Sequence, residues 1–311
     1  MVSRRRLLLA AACLPVTALA QSEESSAGRR DPAKTPDGHP DLSGYWTNAT
    51  LTPLERPRNL GSQAFFTPAE AAAYERAIIR EHQAEATPDS LWNGRAHVVS
   101  TLRTSLIIDP ADGRLPRPTQ AALRRAGEAR AARRDHPADG PEDRPLSERC
   151  ILWPDAGPPM LPGFDKYLIT QSADCIAIVS EIMHEARIIP LDGRPHLPAQ
   201  VRQWLGDSRG HWEGETLVVE TTNFTGKTPL HSSSKDMRLT ERFTRTAPDT
   251  ILYQFTVNDP DAFAAPWTAE IPMHPAQGPL AEYACQENNE DLARILSGAR
   301  AAEKREAESR K

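Results

Sequence analysis

The chain has 311 residues, a net charge of −5 with its histidines neutral, and 4 cysteines. A mildly acidic protein has no bulk attraction for nucleic acid or for anionic membranes, so no nucleic-acid partner is expected. The 28 prolines limit helix and favour loops and strand edges, and the length permits one large β domain or two small ones.

Met1 to Ala20 reads as a targeting segment. Arg4, Arg5 and Arg6 precede an apolar run from Leu7 to Ala20, which ends in Ala18-Leu19-Ala20, small residues at the spacing a signal peptidase requires. The run is too short to span a bilayer as a stop-transfer helix, and no later segment is apolar enough to do so. Ser3-Arg4-Arg5-Arg6-Leu7-Leu8 has the order of a twin-arginine signal, although three basic residues before an apolar run also suit the general secretory route. Cleavage near Ala20 leaves a periplasmic or secreted chain, more acidic because three arginines depart, and Cys13 leaves with them.

Gln21 to His39 is polar, with glycine, proline and mixed charge, and reads as a flexible tether. Pro40-Asp41-Leu42-Ser43-Gly44-Tyr45-Trp46 leads into a first strand. Thr67-Pro68-Ala69-Glu70 is a capping box with proline at the first helical position. Ala71, Ala72, Tyr74, Ala77, Ile78 and Ile79 give that helix one apolar side. Arg103 to Ile108 reads as a strand, and Asp109-Pro110-Ala111-Asp112-Gly113 as the turn after it. Gln120 to Arg134 is a second, alanine- and arginine-rich helix whose thin apolar face suits the surface, and His136 to Pro145 is a loop.

From Cys150 the periodicity changes to two. Tyr167 to Gln171, Ile176 to Met183, Glu185 to Ile189, Arg209 to Trp212, Thr216 to Thr222, Arg238 to Arg245, Ile251 to Val257, Trp267 to Ile271 and Ala281 to Gln286 read as strands. Glu213-Gly214 marks a tight hairpin. The chain ends in a helix from Asn289, wholly charged after Ala302 and frayed at its end. The expected fold is mainly β: an antiparallel meander closing into a lipocalin-like barrel, with a few peripheral helices. Closure removes exposed strand edges, and a barrel of this size can hold one small ligand. A two-sheet β-sandwich is the alternative. Residues 40–149 then pack a strand and helices on the barrel, 150–288 form its core, and 289–311 the terminal helix. Cys150 and Cys285 flank the strand-rich region and would form a disulfide in an oxidising compartment; three unpaired cysteines are the other option, with Cys175 a small buried hydrophobe.

Several phrases resemble an uncharacterised family of exported bacterial proteins: Pro40 to Trp46, Arg187-Ile188-Ile189-Pro190-Leu191-Asp192-Gly193-Arg194-Pro195-His196, and the long stretch from Trp204-Leu205-Gly206-Asp207 through Trp212-Glu213-Gly214 to Thr221. Glu241-Arg242-Phe243 and Tyr283-Ala284-Cys285 fit the same pattern. The likeness covers most of the chain beyond the targeting segment. It implies export and supplies no mechanism; the likeness to lipocalins is architectural only.

Ionisable residues on apolar strand faces are the candidate catalytic groups. Leu239, Glu241, Phe243 and Arg245 form the more apolar face of their strand and should point inward. A buried carboxylate must pair or protonate, so Glu241 is either bridged to an arginine such as Arg187 or a functional acid/base with a raised pKa. Glu181, His184 and Arg187 form a second group. A bulge near Met183 would bring His184 to the face of the other two, and the three would then serve as base, acid and anion clamp. The alternative is a cross-strand ion pair and one surface histidine. Asp207, His211 and His231 lie in or beside loops, where ligand contacts concentrate, and Trp212, Tyr253 and Trp267 either line an aromatic-accepting pocket or pack the core.

No HExxH or CxxC occurs, so no metal is expected. Glycine-rich nucleotide loops and a GxSxG elbow are absent too, which argues against dinucleotide enzymes and ordinary α/β-hydrolases. Two functions compete. One is a cofactor-independent lyase, isomerase or hydrolase acting on a small, partly apolar molecule in a barrel pocket. The other is a non-catalytic periplasmic protein that binds a small ligand.

Overall fold

A computed structural model of the chain describes residues 33–84, 97–153, 157–163, 166–227, 230, 233–287 and 289–310. The targeting segment, most of the expected tether and His231 lie outside the described residues.

Period-two stretches become strands with one buried face. β1 (Gly44–Thr47) and β2 (Ile107–Asp109) precede the main series of β3 (Lys166–Gln171), β4 (Cys175–Ser180), β5 (Ala186–Pro190), β6 (Asp207–Glu213), β7 (Thr216–Thr222), β8 (Arg238–Ala247), β9 (Thr250–Asn258) and β10 (Trp267–Pro275). The order across the sheet is β5-β4-β3-β1-β10-β9-β8-β7-β6, with β2 paired to β10 off this path. All the paired strands run antiparallel, and the nine strands of the path make a nearly closed barrel.

The barrel is therefore built as expected, but not as one meander in chain order. Two meanders, β3–β5 and β6–β10, are joined by β1, which enters between β3 and β10. Ala281 to Gln286 is not the strand the sequence suggests. Once β1 holds that slot, β3 and β10 have no free ladder for it, and the segment crosses the outside of the barrel instead. Arg103 to Ile108 is shortened to β2 for a local reason. The Thr104 hydroxyl donates to the Gln63 carbonyl (2.6 Å) and the Ser105 hydroxyl to the Ile107 carbonyl (3.1 Å), and such side-chain bonds compete with a ladder.

The last gap in the barrel, between β5 and β6, is closed by side chains. A Cβ on Gly210 of β6 would lie 2.6 Å from a Leu191 methyl and 2.9 Å from an Ile189 methyl. Only glycine lets these side chains lie against the β6 backbone, and their bulk keeps the two strands from exchanging ladder bonds. Inside, the alternation gives one continuous core. Leu239, Glu241 and Phe243 of β8 face Tyr253, Phe255 and Val257 of β9 and Trp267, Ala269 and Ile271 of β10, all buried.

Among the described residues three α-helices lie at the periphery. α1 (Pro68–Ala84) carries the expected capping box: the Thr67 amide donates to Glu70 Oε2 (2.7 Å) and the Glu70 amide to Thr67 Oγ1 (3.3 Å). α2 (Gln120–Asp135) is capped by Thr119, whose hydroxyl accepts from the Ala122 amide (3.1 Å). α3 (Asp291–Ser309) is anchored by Arg300, which donates to the carbonyls of Asp139 (2.9 Å) and Ala138 (3.1 Å). The end of the expected tether is packed rather than loose, since His39 stacks on Trp212 with ring centroids 4.5 Å apart.

Cys150 and Cys285 form a disulfide, with Cα atoms 5.7 Å apart and 135 residues of separation. It ties the turn before β3 to the segment after β10. Cys175 is a free thiol and only partly buried. Closing so long a loop removes a large share of unfolded-chain entropy, about 2–5 kcal/mol of stability in comparable native bridges. The double variant C150S/C285S should lower the denaturant midpoint by that order while keeping the β-rich circular dichroism spectrum; an unchanged midpoint would show the bridge to be thermodynamically idle.

Candidate functional site

Among the described residues the interior holds one ion pair with both partners buried. Alternation aims Arg187 inward from β5 and Glu241 inward from β8, and both are buried, Glu241 with 0% of its surface exposed. The guanidinium forks onto the carboxylate, Nη1 donating to Oε2 (2.5 Å) and Nη2 to Oε1 (3.1 Å). The Tyr253 hydroxyl donates to the same Oε1 (2.8 Å) and accepts from the Met160 amide (3.0 Å). The alternatives open for Glu241 thus resolve to the bridge with Arg187. Burial alone would pull the Arg187 pKa down. The charge and hydrogen bonds of Glu241 outweigh burial and hold it above its ordinary value. Burial pushes the Tyr253 hydroxyl well above its usual range, and the neighbouring Glu241 charge adds to this.

Around the pair the described interior is closely packed. The void bounded by Tyr167, Ile178, Ser180 and Arg187 measures about 10 Å³, at the threshold for a single water. Tyr253 and Trp267 are wholly buried members of an aromatic stack in which Phe243–Tyr253, Tyr253–Phe255 and Phe255–Trp267 centroids lie 4.9, 5.7 and 5.5 Å apart. Of the two alternatives open for these residues, packing the core is the one the structure takes.

Glu181 and His184 do not join Arg187. β4 ends at Ser180, and the hairpin loop to β5 carries Met183 (φ 61°) and His184 (φ 51°) in the left-handed region. The expected irregularity near Met183 is real, but it turns these residues outward. There they hold the segment that follows β10. Glu181 Oε2 accepts from the Ala281 amide (2.7 Å) and pairs with Lys166 (2.6 Å), and His184 Nε2 donates to the Ala281 carbonyl (3.2 Å). Upstream, the Ala276 amide donates to the Tyr45 carbonyl (2.8 Å), and Gly278 lies on the Tyr45 ring so closely that a Cβ would sit 2.3 Å from Cε2. Residues 276–285 thus form a strap, fixed at both ends and finally by Cys285.

The strap walls an open cleft of about 1010 Å³ on the outer face of the barrel. Its floor comes from three neighbouring strands, because Thr47 of β1 sits opposite Lys166 of β3 on one side and His274 of β10 on the other. Glu181, Thr50 and His97 add polar groups, while Val98, Pro272 and Pro279 add apolar surface. His97 also contacts Glu75 of α1, Nδ1 to Oε2 at 3.4 Å. Lys166, His97 and His274 were not singled out in the sequence. Parity alone cannot mark Lys166 and His274, because it places them on an ordinary solvent face, and His97 lies in a loop; only the strap makes that face concave.

The loop candidates are dispersed. Asp207 is buried and clamped, accepting from His196 Nδ1 (2.9 Å) and the Leu197 amide (2.9 Å) while pairing with Arg209 (2.8 Å). It anchors the chain entering β6. His211 is exposed beside Glu213 (3.3 Å), and Trp212 carries the His39 stack. Among the described residues no three His, Cys, Asp or Glu side chains converge as a metal site would require, and no described helix is long and apolar enough to cross a membrane.

No protein-family model and no curated protein matches the chain. Among solved structures it is similar to a mutant of the fluorescent protein UnaG, at 14% identity and a TM-score of 0.25, over 45% of this chain and 90% of that one. A likeness that distant carries no argument about function.

Removing one member of a buried, fully hydrogen-bonded ion pair leaves the other charge stranded, at a cost of about 3–5 kcal/mol. R187M and E241M should each destabilise the fold by that order, and the double variant R187M/E241M should recover much of the loss. Denaturant titration of the three proteins measures this; strictly additive losses would mean that the two side chains are not coupled.

Proposed function

We propose that the chain is an exported, small-ligand-binding protein of the periplasm, and that it takes a small, partly apolar molecule in the cleft between the 276–285 strap and the β3–β1–β10 face. The observation that carries this reading is the contrast between the close packing of the described interior, with a void of about 10 Å³ beside Arg187, and an open outer cleft of about 1010 Å³. Ligand sites are concave, mix apolar walls with a few polar groups, and have volumes of this order. Lys166, His97 and His274 supply donors over apolar surface from Val98, Pro272 and Pro279.

Three features support export: the basic-apolar-small order of residues 1–20, with its twin-arginine character, the Cys150–Cys285 disulfide, and the lack of a membrane-crossing helix among the described residues. The phrases from Pro40 to Trp46 and from Trp204 to Thr221 place the chain, as part of the same proposal, with the uncharacterised exported family they resemble. Binding is favoured over acid/base catalysis because the candidate catalytic groups are already engaged in two separate places. Arg187 and Glu241 neutralise each other in the core, and Glu181 and His184 hold the strap.

Native mass spectrometry of freshly purified protein, followed by thermal-shift screening of small amphiphiles, tests the proposal. A true ligand at a hundredfold excess over its Kd raises stability by about 2.7 kcal/mol. H274W, which places an indole in the cleft from an exposed strand position, should abolish that shift without unfolding the protein. A ligand shift of full size in H274W would move the site elsewhere.

A further inference from the structure

A second concavity, lined by different residues, has a different chemistry. It is a cleft of about 620 Å³ between α2, the segment 142–152 and the residues Gly226, Lys227 and Ser233. α2 lines it with Ala126, Ala129 and Ala132, and the buried Leu152 lies beneath, so its floor is apolar. Its rim is cationic in a protein whose net charge is −5. Two of the cations are engaged, Arg144 by Glu148 in a forked pair (2.8 and 3.0 Å) and Arg125 by the Asp261 carbonyl (3.1 Å). Arg133, Arg149 and Lys227 make no side-chain ion pair or hydrogen bond among the described residues, and Arg149 is half-buried. Glu142 and Asp143 also line the cleft, but neither pairs with any of the three. At the base stands Ser233, 4% exposed, whose hydroxyl has no hydrogen-bond partner among the described residues.

One half-buried guanidinium, Arg149, and two exposed cations, Arg133 and Lys227, none with a counter-ion among the described residues, stand over an apolar floor with an unsatisfied buried hydroxyl and favour one kind of guest. Arginine forks match a carboxylate in two parallel hydrogen bonds, and the buried Ser233 hydroxyl carries a cost unless something answers it. We propose that this cleft binds a small amphiphilic carboxylate, its head held by Arg149 and Arg133 with Lys227 adding charge, and its apolar body lying along Ala126, Ala129 and Leu152. The assignment stands independently of the strap-walled cleft, with which this one shares no residue.

Isothermal titration calorimetry of the full mature chain with dodecanoate tests it, with dodecanol as the uncharged control. Dodecanoate should bind at least tenfold more tightly than dodecanol, and R133M/R149M should lose at least tenfold in dodecanoate affinity while keeping the wild-type melting temperature. Because both arginines are removed without touching the core, a matched melting temperature separates a lost site from a lost fold. K227M should weaken binding less, and raised salt should weaken the wild type more than R133M/R149M. Equal binding of dodecanoate and dodecanol, or undiminished dodecanoate binding by R133M/R149M, would overturn the proposal. The second result would also show that the anion occupies a different cleft.

Discussion

A guanidinium and a carboxylate placed inside a β-barrel must satisfy each other, because the hydration each gives up is worth several kcal/mol. Arg187 and Glu241 do so in a forked pair, and Tyr253 and the Met160 amide extend the network to a third strand and to the chain before β3. The position of the pair matters as much as its strength. Arg187 lies on β5, which has a ladder partner on one side only, and Glu241 lies on β8, in the opposite meander. The pair therefore ties the open edge of the barrel to its far wall, where no backbone bond does so. Its directionality also fixes which residues of β5 face inward, since a slip of one residue would put Ile188 inside and expose the charge.

This network and the aromatic stack beside it pack the described interior, and the larger concavities lie outside it. Both outer clefts are walled by segments that do not belong to the sheet. One is walled by the strap after β10, held by Tyr45, Lys166, Glu181 and His184. The other is walled by α2 and the turn that ends at Cys150. The Cys150–Cys285 disulfide joins those two walls, so a single covalent bond fixes the frames of both concavities.

Much of the fold was legible because period-two patterning needs no knowledge of neighbours. Thr216 to Thr222 is a strand over the expected residues, the Glu213-Gly214 hairpin forms, and Thr67 and Glu70 cap α1 reciprocally. The inward face of β8 was legible for the same reason, and with it the need of Glu241 for a cation. The slot taken by β1 was not, because four residues carry too little periodicity to announce a central strand. The error at Ala281 to Gln286 follows from that one, since a segment reads as a strand only while a ladder remains for it. The roles of Glu181 and His184 were hidden because strand parity stops at Ser180, where the left-handed pair Met183 and His184 begins. The second cleft was hidden because Arg133 and Arg149 belong to segments that meet only in space.

The forked contact between Arg187 and Glu241 can be observed directly by nitrogen-edited NMR of the arginine side chains in the native protein. A guanidinium locked in a buried pair should give separate Nη proton signals for Arg187 that exchange slowly with water and are distinct from the averaged signals of exposed arginines. A rotationally averaged, rapidly exchanging Arg187 signal would contradict the account, because it would place that side chain in solvent and leave Glu241 without its partner.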